Sequence, residues 1–227
     1  MMGRIRIVQI SQRLLGATAL LVLLSGCSAL PTKPVRAALY DFGPGSVAAS
    51  TATSVQANLP PVALDEVETA GGVLDNLAVL YRLTYADSQQ LRPYSQARWS
   101  MPVAQLVRQR LRDTLSRERP VFRAGEGPAL TRVNGVLPSV LRVDLDEFSQ
   151  VFESPESSVG LIRLRVSLLE TTPEGQRLKA QRQIVLREPA PTQDAPGGVR
   201  ALTTATDRAA LEISDWLKQQ LPPLPGR

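Results

Sequence analysis

The sequence has 227 residues, with 26 Lys and Arg against 21 Asp and Glu, one Cys and no His. The absence of His excludes Ser-His-Asp and Cys-His catalysis and His-based metal sites, and a single Cys excludes an internal disulfide. Three Arg in the first 26 residues account for part of the net charge of +5, and no Lys/Arg cluster contains interleaved aromatic residues. Composition therefore disfavours an enzyme and gives no indication of nucleic-acid binding.

The N-terminal segment is typical of a secretory signal peptide. Three Arg and no acidic residue precede or flank an apolar run from Leu14 to Leu24. A basic start, a short apolar run and small residues before a cleavage site are the features of such a peptide. The run of about eleven residues is too short to span a bilayer, which needs about twenty.

The single cysteine follows this run directly. Leu24, Ser25, Gly26 and Cys27 resemble a bacterial lipobox, in which the cysteine is acylated before cleavage. The resemblance implies that residues 1–26 are removed and that Cys27 anchors the mature protein in a membrane through its acyl chains. The alternative is an ordinary buried or stray thiol near a secretory cleavage site.

Composition divides the mature chain into a linker, a domain and a tail. Residues 27–58 are rich in Pro, Ala and Ser and are predicted to form the lipid anchor and a flexible tether. Within them, the alternating segment from Ala37 to Phe42 predicts a short edge strand docked on the domain. We expect the domain to cover residues 59–221, and residues 222–227 to form a tail.

The first half of the predicted domain contains two strands and a helix. Strands are predicted from Val62 to Val67 and from Leu77 to Tyr85, and residues 91–98 are predicted to be an irregular connection. Ser100 is the predicted N-cap of a helix that ends at Pro120, with Pro102 in its first turn. The apolar stripe of this helix consists of Val103, Leu106, Val107, Leu111 and Leu115.

The second half is predicted to be a strand meander and a final helix. Alternating apolar residues predict strands over residues 136–152, 159–171 and 178–188, separated by short turns, which favours antiparallel pairing. Apolar residues at three- and four-residue steps predict a helix over residues 199–221 that covers the sheet.

Two charged groups carry alternative interpretations. Asp144, Asp146 and Glu147 could form an acidic metal or acid–base site, but a solvated strand face is favoured because no metal-binding loop surrounds them. The arginines of residues 108–119 could meet phospholipid headgroups, but they alternate with Gln, Asp and Glu, which favours a solvated helix face. We expect no metal, no cofactor and no catalytic residue.

One segment carries a resemblance to a known family. The stretch Leu91 to Trp99, which reads LRPYSQARW and contains Tyr94, Arg98 and Trp99, is followed by Pro102 and an amphipathic helix. Together with the lipobox, this order resembles the ABC-type transport auxiliary lipoproteins, which include the outer-membrane lipoprotein of the paraquat-inducible (Pqi) type. Tyr94, Arg98 and Trp99 match the family motif as partner-contacting or structural residues.

The resemblance implies a fold and a function. It implies a single three-layer α/β domain with a mixed sheet of about five strands, similar to anticodon-binding-like and TolB N-terminal folds. It also implies a non-enzymatic lipoprotein of the outer membrane that faces the periplasm. Such a protein docks a mammalian-cell-entry (MCE) domain protein beside an ABC permease and ATPase, in a system that moves lipids between the two membranes. A homo-oligomeric ring is compatible with this role.

Two other functions stay open at this stage. The domain could itself bind and carry lipid, with an acyl chain held between the sheet and a helix. A carboxylate-based cell-wall hydrolase is a further alternative, with Asp144 as its best candidate residue.

Overall fold

A computed structural model gives the structure of the protein and describes residues 36–45, 59–125, 132, 137–172 and 174–223. Residues from Ala37 onward form one compact unit. Its elements are β1 (Ala38–Tyr40), β2 (Val62–Thr69), β3 (Ala78–Leu83), β4 (Asp87–Trp99), α1 (Val103–Leu115), β5 (Val121–Arg123), β6 (Ser139–Ser154), β7 (Ser157–Thr172), β8 (Gly175–Pro189) and α2 (Ala195–Gln220). The mixed α/β class is confirmed, but the sheet formed by the described residues contains eight strands rather than about five.

Strand β6 is the centre of the sheet. Along one edge it pairs antiparallel with β7, and β7 pairs antiparallel with β8, which confirms the predicted meander. Along the other edge, β6 pairs in parallel with β2 near its start and with β3 near its end. The sheet therefore divides into two branches on this side of β6.

Each branch continues outward from β6. In one branch β5 pairs in parallel with β2, and in the other β4 pairs antiparallel with β3 and in parallel with β1. The prediction of an edge strand between Ala37 and Phe42 is confirmed by β1. The folded unit accordingly begins upstream of residue 59, the first residue of the predicted domain.

The predicted irregular connection over residues 91–98 is wrong, because these residues belong to the 13-residue strand β4. The strand has mostly polar or exposed residues on both faces, and the register with β3 shifts twice. A strand with this pattern lacks the two-residue apolar alternation by which strands are recognised. The three-residue strand β5 was also not predicted, because it is shorter than any useful sequence window.

The predicted ends of α1 need correction. Pro102, rather than Ser100, occupies the N-cap position, and no side chain there accepts a hydrogen bond from the helix. The helix ends at Leu115 and residues 116–119 form turns, so Pro120 follows the helix at a distance of one further turn. The predicted apolar stripe is confirmed, since its five residues are all buried.

Helix α2 starts four residues earlier than predicted. Asp194 caps it, with Oδ1 accepting a hydrogen bond of 2.8 Å from the Gly197 amide. Two glycines in the first turn reduce helix propensity but allow close packing. A Cβ atom on Gly198 would lie 2.2 Å from Gln150 Oε1, and one on Gly160 of β7 would lie 2.7 Å from the backbone of Ala201.

The core lies between the sheet and the two helices, which contact each other and contribute to a single apolar cluster. The resemblance implied three layers; the described residues contain two, the sheet and the pair of helices. On the other face of the sheet, ion pairs join Arg82 to Glu147 and Arg165 to Asp146. The charged strand face therefore contains Asp144, Asp146 and Glu147.

Candidate functional site

The candidate site is the segment Tyr94–Trp99 at the end of β4. Residues 97–99 lie between two strands, because Ala97, Arg98 and Trp99 are paired with Ala38, Leu39 and Tyr40 of β1, while Ala78 of β3 is opposite Arg98. The amide of Ser100 donates a 2.7 Å hydrogen bond to the Tyr40 carbonyl. The segment that follows the predicted lipid anchor is thus attached directly to the family motif.

Trp99 is a packing centre. Its side chain is 1 % exposed, and its ring centroid lies 5.7 Å from those of Phe42 and Phe148, in edge-to-face arrangements. Aromatic pairs in this geometry contribute about 0.5–1.5 kcal/mol each beyond the area they bury. The structure thus places Trp99 where it joins β4, β6 and the segment after β1, and not on the surface.

Arg98 bonds to its own strand. Its Nη1 donates to the carbonyl of Tyr94 at 2.5 Å and to that of Ala97 at 2.8 Å. These contacts satisfy two carbonyls and hold the half-buried guanidinium against the strand. In this conformation Arg98 supports the backbone of the motif.

Tyr94 begins a chain of hydrogen bonds that crosses the sheet. Its hydroxyl donates to Gln150 Oε1 at 2.7 Å, and Gln150 Nε2 donates to Ser158 Oγ at 2.8 Å. Ser158 in turn donates to Gln193, in the loop before α2. Burial raises the pKa of Tyr94, and the nearby Tyr81 and Asp194 act in the same direction. Tyr94 therefore remains a protonated donor at neutral pH and is unsuited to act as a base.

A second group of contacts fixes the segment after β1. Arg110 of α1, a buried residue, donates hydrogen bonds to the carbonyls of Phe42 and Gly43 and to Asp207 of α2. Its guanidinium carbon also lies 5.9 Å from the centroid of the Phe42 ring. Arg110 thus ties the segment after β1 to both helices.

Sequence reasoning did not identify Arg110, Phe42 or Gln150 as part of the site. A signal for Arg110 existed, because it lies four residues after Leu106 and so falls on the apolar stripe of α1. Gln150 offered no comparable signal, since its bond to the motif residue Tyr94 joins positions 56 residues apart.

The predicted anchor residue Cys27 and the lipobox residues Leu24, Ser25 and Gly26 lie outside the described residues. Within the described ranges, no group of three or more Cys, Asp or Glu is arranged to hold a metal ion. Neither of the two described helices is long and apolar enough to cross a membrane. The geometry of the candidate site supports packing and attachment.

Comparisons with known proteins relate this fold to others. Residues 40–214 match the family model described as the ABC-type transport auxiliary lipoprotein component. A comparison with curated proteins finds no match. The crystal structure of protein XCC0632 from Xanthomonas campestris, of family DUF330, is similar with a TM-score of 0.58 at 17% identity, over 73% of this chain and 88% of that one. A second crystal structure, of an uncharacterized protein, has a TM-score of 0.54 at 13% identity, over 80% and 99% of the two chains. These two likenesses concern the fold alone.

Proposed function

Because the chain belongs to the family of ABC-type transport auxiliary lipoprotein components, we propose that it is a non-enzymatic outer-membrane lipoprotein that docks an MCE-domain assembly. The observation that carries the proposal is the family match over residues 40–214. The lipobox at residues 24–27 supports it independently. The associated ABC permease and ATPase would supply the energy for moving lipids between the inner and outer membranes.

The mechanism is positional. Acyl chains on Cys27 hold the protein on the periplasmic face of the outer membrane, since a diacylated cysteine remains bound where one chain alone dissociates. Ten residues separate Cys27 from Ala38, the first residue of β1. At roughly 3.3–3.6 Å per residue they reach at most about 40 Å. A tether that extended to residue 58 would have a longer maximum reach. The reach is shorter here because β1 and Phe42 are attached to the domain.

The attachment of this segment gives the motif a role. β1 pairs with β4, and Arg110 of α1 bonds to the segment after β1. A displacement of the anchored segment is therefore transmitted to β4 and α1 together, with Trp99 packed between them. A rigid attachment of this kind suits a protein that holds a partner at a fixed distance from a membrane. We propose that Arg98 and Trp99 serve this structural role, with Tyr94 bonding the motif to β6 and β7.

No specific observation favours the alternative in which the domain carries lipid between the sheet and a helix. At Gly160 and Gly198, α2 approaches the sheet so closely that an added methyl group would clash. An acyl chain would need α2 to move away from the sheet. Native mass spectrometry of the intact protein, extracted gently from membranes, tests this alternative, because a carrier retains phospholipid at a defined stoichiometry.

Affinity capture tests the proposed function. The tagged, full-length protein is extracted from membranes after mild crosslinking, and the co-purified chains are identified. Recovery of an MCE-domain protein or its ABC permease supports the proposal, and recovery of neither contradicts it. A Cys27→Ser variant is the matched control for the anchor: we expect a folded, soluble periplasmic protein, whereas retention on the membrane would contradict anchoring through Cys27.

A further inference from the structure

Strand β8 lies at the edge of the sheet, and in the part of the sheet that the structure describes it pairs with β7 alone. The Ala190 amide donates to the Ser158 carbonyl at 2.9 Å, and the regular ladder continues from this bond as far as Ala180. Because bonded and non-bonded residues alternate in an antiparallel ladder, the even-numbered residues of β8 bond to β7. The amides and carbonyls of the odd-numbered residues therefore point away from β7. These outward residues are Gln181, Gln183, Val185 and Arg187.

The side chains of β8 divide between the two faces of the sheet. Those of the even-numbered residues face α2, since Ile184 is buried in the core. Two ion pairs also connect this face to α2, one from Arg182 to Glu212 and one from Glu188 to Arg208. Successive side chains of a strand point to opposite faces, so those of the odd-numbered residues lie on the face without helices.

Apolar side chains are exposed on both faces at this edge. Val185, on the face without helices, is 49 % exposed, and Leu211 of α2 is 57 % exposed. Leu211 and Leu186 line a hollow of about 310 Å³ between α2 and β8. A long edge strand with exposed apolar groups is a template for pairing with another strand. A polypeptide strand can bond to the outward amides and carbonyls of β8, whereas an acyl chain cannot.

The order of residues along β8 is complementary to itself. Consider two copies of β8 that pair antiparallel about a two-fold axis at Val185. Because residues 182 and 188 are equally far from 185, Arg182 of each copy then lies opposite Glu188 of the other. In the same register Ile184 of each copy lies opposite Leu186 of the other. Opposite charges therefore meet at both ends of the pairing, and apolar residues meet at its centre.

Neighbouring registers lack this match. An axis one residue earlier or later places a charged residue opposite leucine or isoleucine. An axis two residues earlier places Arg187 of one copy opposite Lys179 of the other, and like charges directly opposite each other are destabilising. In the register about Val185, the bonds to α2 can persist, because a guanidinium has five donors and a carboxylate two oxygens. The charges of one chain would then alternate in sign with those of the other.

We propose that two copies of this chain pair their β8 strands antiparallel about a two-fold axis at Val185 and so form a dimer with one continuous sheet. The contact is isologous, as in most two-fold dimers. Backbone bonds form at Gln183, Val185 and Arg187, and Pro189, which lacks an amide hydrogen, ends the ladder. Strand β1, next to the predicted anchor, lies at a different edge of the sheet. The inference goes beyond the proposed docking function and does not depend on it.

Disulfide crosslinking tests the dimer. Val185→Cys is introduced into the full-length protein, which is oxidised in its own membranes. In a hydrogen-bonded antiparallel pair the two Cα atoms lie about 5.5 Å apart, within the range that a disulfide spans. Gln183→Cys is the matched control on the same exposed face, because its two copies would lie roughly 13 Å apart along the ladder. We expect a linked dimer for Val185→Cys and not for Gln183→Cys, above the background of the wild-type chain, which contains Cys27.

Charge exchange tests the register. In the Val185→Cys protein, Arg182→Glu places two carboxylates opposite each other, and Glu188→Arg places two guanidinium groups opposite each other. Each change alone should lower the yield of linked dimer about tenfold. Co-expression of the two variants restores opposite charges in the mixed dimer and should return the yield to within about twofold of its original value. Each variant also alters its own ion pair with α2, but co-expression does not repair that pair. Recovery therefore reports the contact between chains, and circular dichroism checks that both variants fold.

Each outcome decides the question. A disulfide between the two introduced cysteines at position 185, identified by mass spectrometry, supports the inference when co-expression also restores its yield. Equal linking of the Gln183→Cys protein, linking to a different protein, the absence of a link, or no recovery on co-expression overturns it. The affinity capture described above decides the proposed function separately, since a monomer could dock the same partner.

Discussion

Two buried arginines of this protein are held in opposite ways. Arg110 lies between the two helices and donates to two carbonyls and to the Asp207 carboxylate. Arg119, at the turn after α1, is 0 % exposed, and its Nη1 donates to the Pro60 carbonyl at a distance of 3.4 Å. Its Nε and Nη2 find no acceptor among the described residues. Hydrogen bonds therefore offset the cost of burying the guanidinium at Arg110, and among the described residues they largely fail to do so at Arg119.

The difference shows that the partners of a buried charge, and not its burial, decide whether it stabilises the fold. Desolvation disfavours a buried guanidinium unless hydrogen bonds replace its water. At Arg119, burial lowers the pKa of the guanidinium, and the carboxylate of Glu118 opposes only part of that shift. At Arg110, the contacts also fix the segment after β1. We therefore expect replacements at these positions to have effects of opposite sign.

The largest effect is expected for Arg110→Ala. The variant leaves the Phe42 and Gly43 carbonyls without their donor and removes the contact with the Phe42 ring. A lost buried, charge-assisted network of this size costs roughly 3 kcal/mol of the free energy of unfolding. Urea unfolding measures this loss, and hydrogen exchange should rise at residues 38–45.

Arg108→Ala provides the matched control, because Arg108 is on the same helix and forms an exposed ion pair with Glu66. Exposed pairs contribute about 0–1 kcal/mol. If the two alanine variants lost the same free energy of unfolding, Arg110 would not be the anchor of the segment after β1.

Arg119→Met should have the opposite sign. Methionine fills similar volume without the desolvation cost of a guanidinium, and buried charges replaced by apolar residues often leave stability equal or increased by about 1–4 kcal/mol. Because the Pro60 carbonyl loses its weak donor, we expect a gain at the low end, about 1 kcal/mol. Arg112→Met, at an exposed position of α1, serves as the control and should change stability by less than about 0.5 kcal/mol. A clear loss for Arg119→Met would mean that its guanidinium is bonded to a group outside the described residues.

Tyr94 extends the comparison to a neutral, partly buried donor that has a hydrogen-bond partner. Since burial raises its pKa in the folded state, Tyr94 adds stability below its unfolded pKa of about 10, and this stability is lost as the pH rises toward its folded pKa. Tyr94→Phe should cost about 1 kcal/mol at pH 8 through the lost bond to Gln150. Between pH 8 and 11 the difference between the two proteins should shrink by about 1 kcal/mol.

The control for this measurement is Tyr85→Phe, because Tyr85 is half exposed on a turn. It measures what the loss of an exposed tyrosine hydroxyl does over the same pH range. A difference for Tyr94→Phe that stays constant between pH 8 and 11 would contradict a raised pKa of Tyr94.

Local regularity explains which parts of this fold the sequence could predict. The meander was predicted because Leu141, Val143 and Leu145 alternate with charged residues, and each turn contains Pro with Gly, Ser or Glu. Strand β4 was missed because its stability comes from pairing with β3 and β1, and not from an apolar face of its own. The start of α2 was missed because Gly197 and Gly198 signal a loop, whereas the Asp194 cap and close packing against Gln150 favour the helix.

The candidate site shows the same limit. The motif residues Tyr94, Arg98 and Trp99 were recognised from the family resemblance, and the structure places Trp99 in the core. The contacts that fix the position of the motif could not be predicted. Gln150 is 56 residues from Tyr94 and Phe42 is 57 residues from Trp99. The Arg110 network joins segments 67 and 97 residues apart, which no local pattern records.

An effect of about the same size as that at Tyr94 is expected at the surface, where Asp194 caps α2. Hydrogen bonds from the Thr192 hydroxyl and the Gly197 amide hold the pKa of this carboxyl below its usual value. Loss of such a cap costs about 1 kcal/mol, so Asp194→Ala should destabilise the protein less than Arg110→Ala. A carboxylate with a lowered pKa stabilises the fold above its unfolded pKa, and this contribution is lost as the pH falls through the folded pKa. Urea unfolding of the two proteins should therefore show a difference at pH 7 that narrows below about pH 4, by the part that depends on the charge.

Asparagine separates the two components of this contribution. Asn caps helices about as well as Asp but carries no charge, so Asp194→Asn should keep most of the stability at pH 7 and lose the acid-dependent part. If Asp194→Asn destabilised the protein as much as Asp194→Ala, the charge on Asp194 would be the main contribution, because both variants remove it and only one removes the acceptor. The helix cap would then depend mainly on the charge of Asp194, as the contacts of Arg110 depend on its charge, although Asp194 is exposed to solvent. The conclusion from the two buried arginines, that the partners of a charged group decide whether it stabilises the fold, would then also hold at the surface of the domain.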